Sequence, residues 1–158
     1  MSHCCNHNNN EHNCVETLKA EHQKILNAFS ELEKAISETP IDENKIREFL
    51  DFTENFAEPH HRKEEKVLFP ALEKKGIPNE GGPIGMMLLE HTAKRKHIKK
   101  IKEGLEKNDA DKIKEDSKMV IALMKEHIYK EDNILYPLAE DVLAPGDLEE
   151  LSKECEKV

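Results

Sequence analysis

From Val15 onward, apolar residues return at steps of three and four. Val15, Leu18, Ile25, Leu26, Phe29, Leu32, Ala35 and Ile36 make one stripe, the spacing of one face of an amphipathic helix. Thr39-Pro40 ends it. Asp42 offers a cap for a second helix, whose apolar positions Ile46, Phe49, Leu50, Phe52 and Phe56 lead past Pro59 to Val67, Leu68 and Leu72. A proline inside that run is expected to kink it. Gly76 to Gly82 reads as a turn, and a third helix is expected from Pro83 to Lys107. A fourth begins near Asp111 and passes through Ile113, Val120, Ile121, Met124 and Ile128 to Leu135; Pro145-Gly146-Asp147 then introduces a short helix, Leu148 to Lys157. Four long helices with short links predict an all-α, up-down-up-down four-helix bundle. Residues 1–14 carry no such period. The expected division is an irregular tail over 1–14, the bundle over 15–143 and a short C-terminal helix within 144–158.

Composition narrows the picture. A chain of 158 residues is one domain's worth of core. Aromatics at 4% and the lack of Trp suit helices packed on aliphatic side chains better than a β-sandwich. The formal net charge of -9 repels phosphate backbones and anionic lipid, so neither nucleic acid nor a membrane is an expected partner. The longest nearly unbroken apolar stretch, Ile84 to Leu89, is far shorter than a membrane span. The opening Met-Ser-His-Cys-Cys has no basic and apolar leader, so a cytoplasmic protein is expected. Four cysteines, at 4, 5, 14 and 155, make no disulfide framework and read as thiols. Cys155 reads as an ordinary thiol on the last helix. In the tail, His3, Cys4, Cys5, His7, His12 and Cys14 supply soft donors without a standard metal spacing. A metal or thiol-redox role and a plain tail both remain open there.

An internal repeat locates the chemistry. His60-x-x-Lys63-Glu64-Glu65-x-x-Leu68-Phe69-Pro70 returns 67 residues later as His127-x-x-Lys130-Glu131-Asp132-x-x-Leu135-Tyr136-Pro137. Glu21-His22 and Glu90-His91 repeat at nearly the same offset. Two helix pairs therefore carry the same donors: a His on the first helix, and a His with a Glu four residues on from the second. Residues four apart on an α-helix differ by about 40° after a full turn, so His60 with Glu64 and His127 with Glu131 project from one face. Glu65 and Asp132 lie about 140° from their His and rank as second choices unless the helix is distorted. Only His60 keeps register with His127. The counterpart of His61 is Ile128, so His61 is expected behind the ligands or at the surface.

Four imidazoles and two carboxylates converging in a bundle core call for a cation, because each unsatisfied buried polar group costs about 1–3 kcal/mol. The expected metal ligands are His22, His60, Glu64, His91, His127 and Glu131. Two His per metal with both glutamates bridging leave room for an exogenous ligand. The donor set suits two Fe ions and also accepts Zn or Mn. Met86, Met87, Met119 and Met124 read as core fillers. Lys63 and Lys130 are expected to reach solvent, and Tyr129 and Tyr136 to pack.

These motifs together resemble the hemerythrin-like, or HHE cation-binding, domain over roughly Val15 to Leu143. They are the two Glu-His pairs, His-His-x-Lys-Glu-Glu-x-x-Leu-Phe-Pro, Gly-Pro-Ile-x-x-Met-Leu-x-Glu-His and His-Ile-x-Lys-Glu-Asp-x-x-Leu-Tyr-Pro. The resemblance implies a carboxylate- and oxo-bridged di-iron centre on the six residues above. Oxygen-carrying hemerythrins have a fifth histidine four residues after the one matching His91; here that position is Arg95, a cation that cannot ligate. His97 points about 120° away. Arg95 is expected to pair with a carboxylate, attract an anion or face water. The centre then resembles the branch of iron-centre repair and gas-sensing proteins. The expected function is a di-iron protein that binds or senses O2, NO or a peroxide-level species. The alternatives are iron handling or repair of iron-sulfur centres, and a peroxide or NO reductase served by an electron-donor protein. The question of an enzyme stays open, with binding favoured.

Overall fold

The computed structural model describes residues 13–158 and shows an all-α helical bundle. Helix α1, Cys14–Ser37, starts where the Asn13 side chain accepts the Glu16 amide. Cys14, grouped with the tail by periodicity, is thus the first helical residue and is buried. The other tail donors, His3, Cys4, Cys5, His7 and His12, lie outside the described residues. The second run holds α2 (Glu43–Phe52), α3 (Glu58–Lys63) and α4 (Phe69–Lys74), joined by π-helical turns at Thr53–Ala57 and Glu64–Leu68. Helix α5, Pro83–Glu106, is followed by α6, Ala110–Lys130, which the Asp109 side chain caps by accepting the Lys112 amide. A third π-turn, Glu131–Leu135, leads into α7, Tyr136–Val142. The last helix, α8, spans Pro145–Cys155. It begins earlier than its apolar pattern suggests because Pro145 occupies the first turn, where a missing amide is harmless.

The distortion expected at Pro59 takes the form of a π-turn ahead of it. Each π-turn ends two residues before a proline, namely Pro59, Pro70 and Pro137. Proline has no N–H, and its ring excludes the carbonyl four residues back. The ladder opens by one residue, and the amides of Glu58, Phe69 and Tyr136 bond the carbonyls of Thr53, Glu64 and Glu131, five residues earlier. Two of these turns start on the repeated glutamates. Without the extra residue, Tyr136 would face about 140° away from Glu131; with it, the two return to one face.

The apolar core is split. One cluster gathers Ile25, Phe29, Leu32, Ile46, Ile101, Val120 and Met124. The other gathers Val15, Leu18, Leu68, Leu72, Ile84, Leu135 and Leu151. Each long helical run passes from one cluster to the other, and between them every run contributes buried polar residues: His22; His60, His61 and Glu64; Glu90, His91 and Lys94; His127 and Glu131. A layer of charge is thereby sealed between two hydrocarbon plugs. Among the described residues, no helix is long and apolar enough to cross a membrane.

Candidate metal centre

All six expected ligands meet in that layer, each at most 2% exposed. Their donor atoms fall into two groups, His22 with His60 and Glu131, and His61 with Glu64, His91 and His127. Within each group the donors lie no more than 4.8 Å apart. The carboxylates link the groups. Glu64 Oε1 lies 3.3 Å from His60 Nε2 and 3.5 Å from His91 Nε2. Glu131 Oε1 lies 3.3 Å from His22 Nε2 and 2.9 Å from His127 Nε2. Each glutamate therefore touches one imidazole of either group, the placement a bridging carboxylate needs.

The imidazoles are held from behind by a closed ring of acids. Nδ1 of His22 lies 2.7 Å from Asp132, that of His60 3.3 Å from Glu21, that of His91 2.9 Å from Glu65 and that of His127 3.3 Å from Glu90. A carboxylate only accepts, so each Nδ1 carries a proton and donates it, leaving Nε2 as the nitrogen turned to the interior. Glu65 and Asp132 are thus orienting groups. Lys63 Nζ anchors Glu21 at 3.2 Å and Lys130 Nζ anchors Glu90 at 2.8 Å. These lysines do not run free to solvent, as expected of them; the repeat places them on the acids behind His60 and His127. Arg95 donates to Glu65 at 2.8 Å and to Glu58 at 3.2 Å, so its role is pairing with carboxylates.

The layer favours positive charge strongly. Burial lowers the His60 and His127 imidazoles, but the neighbouring Glu64 and Glu131 carboxylates and the acids on Nδ1 outweigh it. His60 rises to about 9 and His127 to about 10. Burial pushes the Glu64 carboxyl up, and its contacts with Glu131, His60 and His91 overcome that and hold it well below the ordinary range. Yet Nε2 of His60, His91 and His127, Oε1 of Glu64 and both carboxylate oxygens of Glu131 have no hydrogen-bond partner. Their mutual approaches, 2.9 to 3.5 Å, are ion-pair distances. These six buried polar atoms, aimed at one another without hydrogen bonds, fit cations between them once the imidazoles give up their second proton, and are costly without partners.

Two side chains break the two-fold repeat. His61, expected behind the ligands or at the surface, is buried among them with its ring 4.1 Å from that of His91. Lys94 Nζ stands 3.4 Å from its Nδ1 and 3.1 Å from Glu58. Tyr136, expected to pack, does stack on His22 at 5.3 Å, but its hydroxyl also donates to Glu64 Oε2 at 3.0 Å. Its counterpart Phe69 stacks on His91 at 6.1 Å without a hydroxyl. The signal for both exceptions was the mismatch itself: polar where the other half has Ile128 or Phe69. Tyr129 is exposed, as are Met86 and Met119, whereas Met87 and Met124 fill the core as expected. His97 bonds Asp116 at 2.9 Å and belongs to neither donor group.

No curated protein matches the chain. The sequence profile described as the Hemerythrin HHE cation binding domain matches residues 13–139. That match spans the helices that carry the buried donors, and the chain belongs to the hemerythrin HHE cation-binding domain family.

Proposed function

We propose that the chain holds two iron ions and binds a small ligand there, O2, NO or a peroxide-level species, so as to sense or buffer it. In this reading His22 and His60 serve one ion and His91 and His127 the other, with Glu64 and Glu131 bridging. His61 stands beside the second ion. The observation that carries the reading is the carboxylate on the Nδ1 atoms of His22, His60, His91 and His127, which turns each Nε2 to the interior, where it can serve a metal. Reduced iron, when bound, would supply the electrons that make a diatomic ligand adhere.

The chain's own residues do the rest. The two apolar clusters keep bulk water from the layer, which strengthens every charge inside it. Tyr136 holds a proton on its hydroxyl, well above the usual phenol range because of burial and the neighbouring Glu131 and Glu64 carboxylates. That O–H lies beside His22 and is donated to Glu64, so a ligand seated there would receive it in place of the carboxylate. Arg95 occupies the position of a further third-helix histidine and turns to Glu58 and Glu65.

Anaerobic purification followed by metal analysis, optical absorption and exposure of the reduced protein to O2 or NO tests this reading. Two irons per chain and a stable adduct support it. Sustained consumption of peroxide or NO with an added electron donor would make the protein a reductase. Ready loss of iron to an apo acceptor would make it an iron-delivery or repair protein. A preparation that takes up no iron would end the proposal.

A further inference from the structure

Away from the histidine layer, the two ends of the described chain meet at a pair of sulfurs. Cys14 is the first residue of α1 and Cys155 the last of α8, yet their Sγ atoms lie 2.8 Å apart across 141 residues of sequence. Both are free and buried. They are not sealed: both line a cavity of about 160 Å³ that also has Thr17, Lys63 and Ser152 on its walls. We propose that Cys14 and Cys155 form a redox-active dithiol site, oxidised by a hydroperoxide to an intramolecular disulfide that ties α1 to α8.

The two thiols are not equivalent. The bond with Cys155 and then burial push Cys14 up, so it keeps its proton. The same bond draws Cys155 down against the effect of burial, with the Lys63 ammonium assisting. Either thiol can donate across the contact; with the Cys14 S–H donating, the Cys155 sulfur is the better nucleophile of the two. In the first step the Cys155 thiolate attacks one peroxide oxygen and the O–O bond breaks. Cys155 becomes a sulfenic acid, and the other oxygen takes up a proton and leaves as water from hydrogen peroxide, or as an alcohol from an organic hydroperoxide. In the second step the Cys14 sulfur attacks the Cys155 sulfur, the S–O bond breaks, and the Cys14 proton leaves with the hydroxide as a second water. Two thiols lose two electrons and the peroxide gains them. A disulfide S–S bond is about 2.05 Å long, so sulfurs already in contact need less than about 1 Å of movement. A thiol-based reductant reverses the reaction by exchange.

Neither step requires a metal, so this inference stands apart from the function proposed above. The test uses the full chain carrying Cys4→Ser and Cys5→Ser, which leaves Cys14 and Cys155 as its only thiols. Hydrogen peroxide is added, then N-ethylmaleimide, and the intact mass and proteolytic peptides are read. The expected product is a monomer lighter by two hydrogens, unalkylated, with the Cys14 and Cys155 peptides linked until dithiothreitol is added. A further Cys14→Ser change should strand Cys155 as a sulfenic acid that a 1,3-dione probe captures. A further Cys155→Ser change should likewise leave a single thiol that cannot close a disulfide within the chain. Alkylation of both thiols after peroxide, or linkage between two chains instead of within one, would overturn the proposal.

Discussion

Asp132 Oδ1 lies 2.7 Å from Nδ1 of His22, a contact between residues 110 apart in the sequence. With Glu65 on His91 it closes the ring of acids across the two halves of the repeat. Glu21 on His60 and Glu90 on His127 close it within each half.

Removing one member of that ring should weaken metal binding without removing a ligand. Asp132→Ala leaves the His22 ring free to rotate and its proton free to move to Nε2, where it blocks the lone pair. Orienting groups of this kind are typically worth 10–100-fold in affinity, so a loss of about that size is expected. Competition against a chelator measures it. Unchanged affinity would mean that the packing of His22 on Tyr136 suffices to aim the ring.

The two donor groups should empty separately. His60→Ala removes a donor from the group of His22 and Glu131, while His91→Ala removes one from the group of His61, Glu64 and His127. Each variant should fall from two irons per chain toward one, and Glu131→Ala, touching both groups, should fall further. His61→Ala distinguishes a ligand from a neighbour: a ligand's loss lowers the iron content, a neighbour's loss leaves it at two. Metal analysis on purified variants reads all four.

The repeat made the buried donors legible because identical residues recur at nearly one offset in both halves. The same logic concealed His61 and Tyr136, which stand where the other half has Ile128 and Phe69. The ring of acids was visible only as residues of uncertain use: Glu21 and Glu90 appeared as marks of the repeat, Glu65 and Asp132 as ill-angled ligands. A 100° wheel cannot place Glu65 and Asp132, because both lie inside the π-turns beginning at Glu64 and Glu131. Pro70 and Pro137 were the available sign of those turns. The thiol contact had no local signal at all, since Cys14 and Cys155 sit at opposite ends of the chain and meet only through the docking of α8 on α1.

Metal uptake should release protons and tighten with pH. His60 at about 9 and His127 at about 10 in the metal-free chain are protonated at pH 7, whereas a metal needs their lone pairs. Affinity should therefore rise from pH 6 through about 9, and calorimetry in buffers of different ionisation enthalpy should show protons leaving on binding. The metal-free fold should respond in the opposite sense. Both pKa values stand above the unfolded value of about 6.5, so their stabilising effect is complete below that pH and is lost as pH rises through 9 to 10. Thermal melts with and without chelator at pH 7 and pH 10 check this: the metal-free protein should lose more stability at high pH than the loaded one. A metal-free melting temperature that rises over the same interval would contradict the protonated assignment.

Tyr136→Phe should separate packing from proton donation. Phe69 already shows that a phenyl ring fits the equivalent place against His91, so the variant should fold and retain its metals. What disappears is the O–H donated to Glu64 Oε2 at 3.0 Å. A hydrogen bond to a charged group contributes about 1.5–3 kcal/mol, and the metal-free variant should be less stable by about that amount in denaturant unfolding. In the loaded protein Glu64 is engaged by the ions, and the cost should shrink. The sharper readout is the ligand: if the hydroxyl donates to a bound diatomic, its loss should speed dissociation of the NO adduct and shift the N–O stretching frequency. An unchanged off-rate and frequency, with iron content intact, would confine Tyr136 to holding Glu64 in its bridging position.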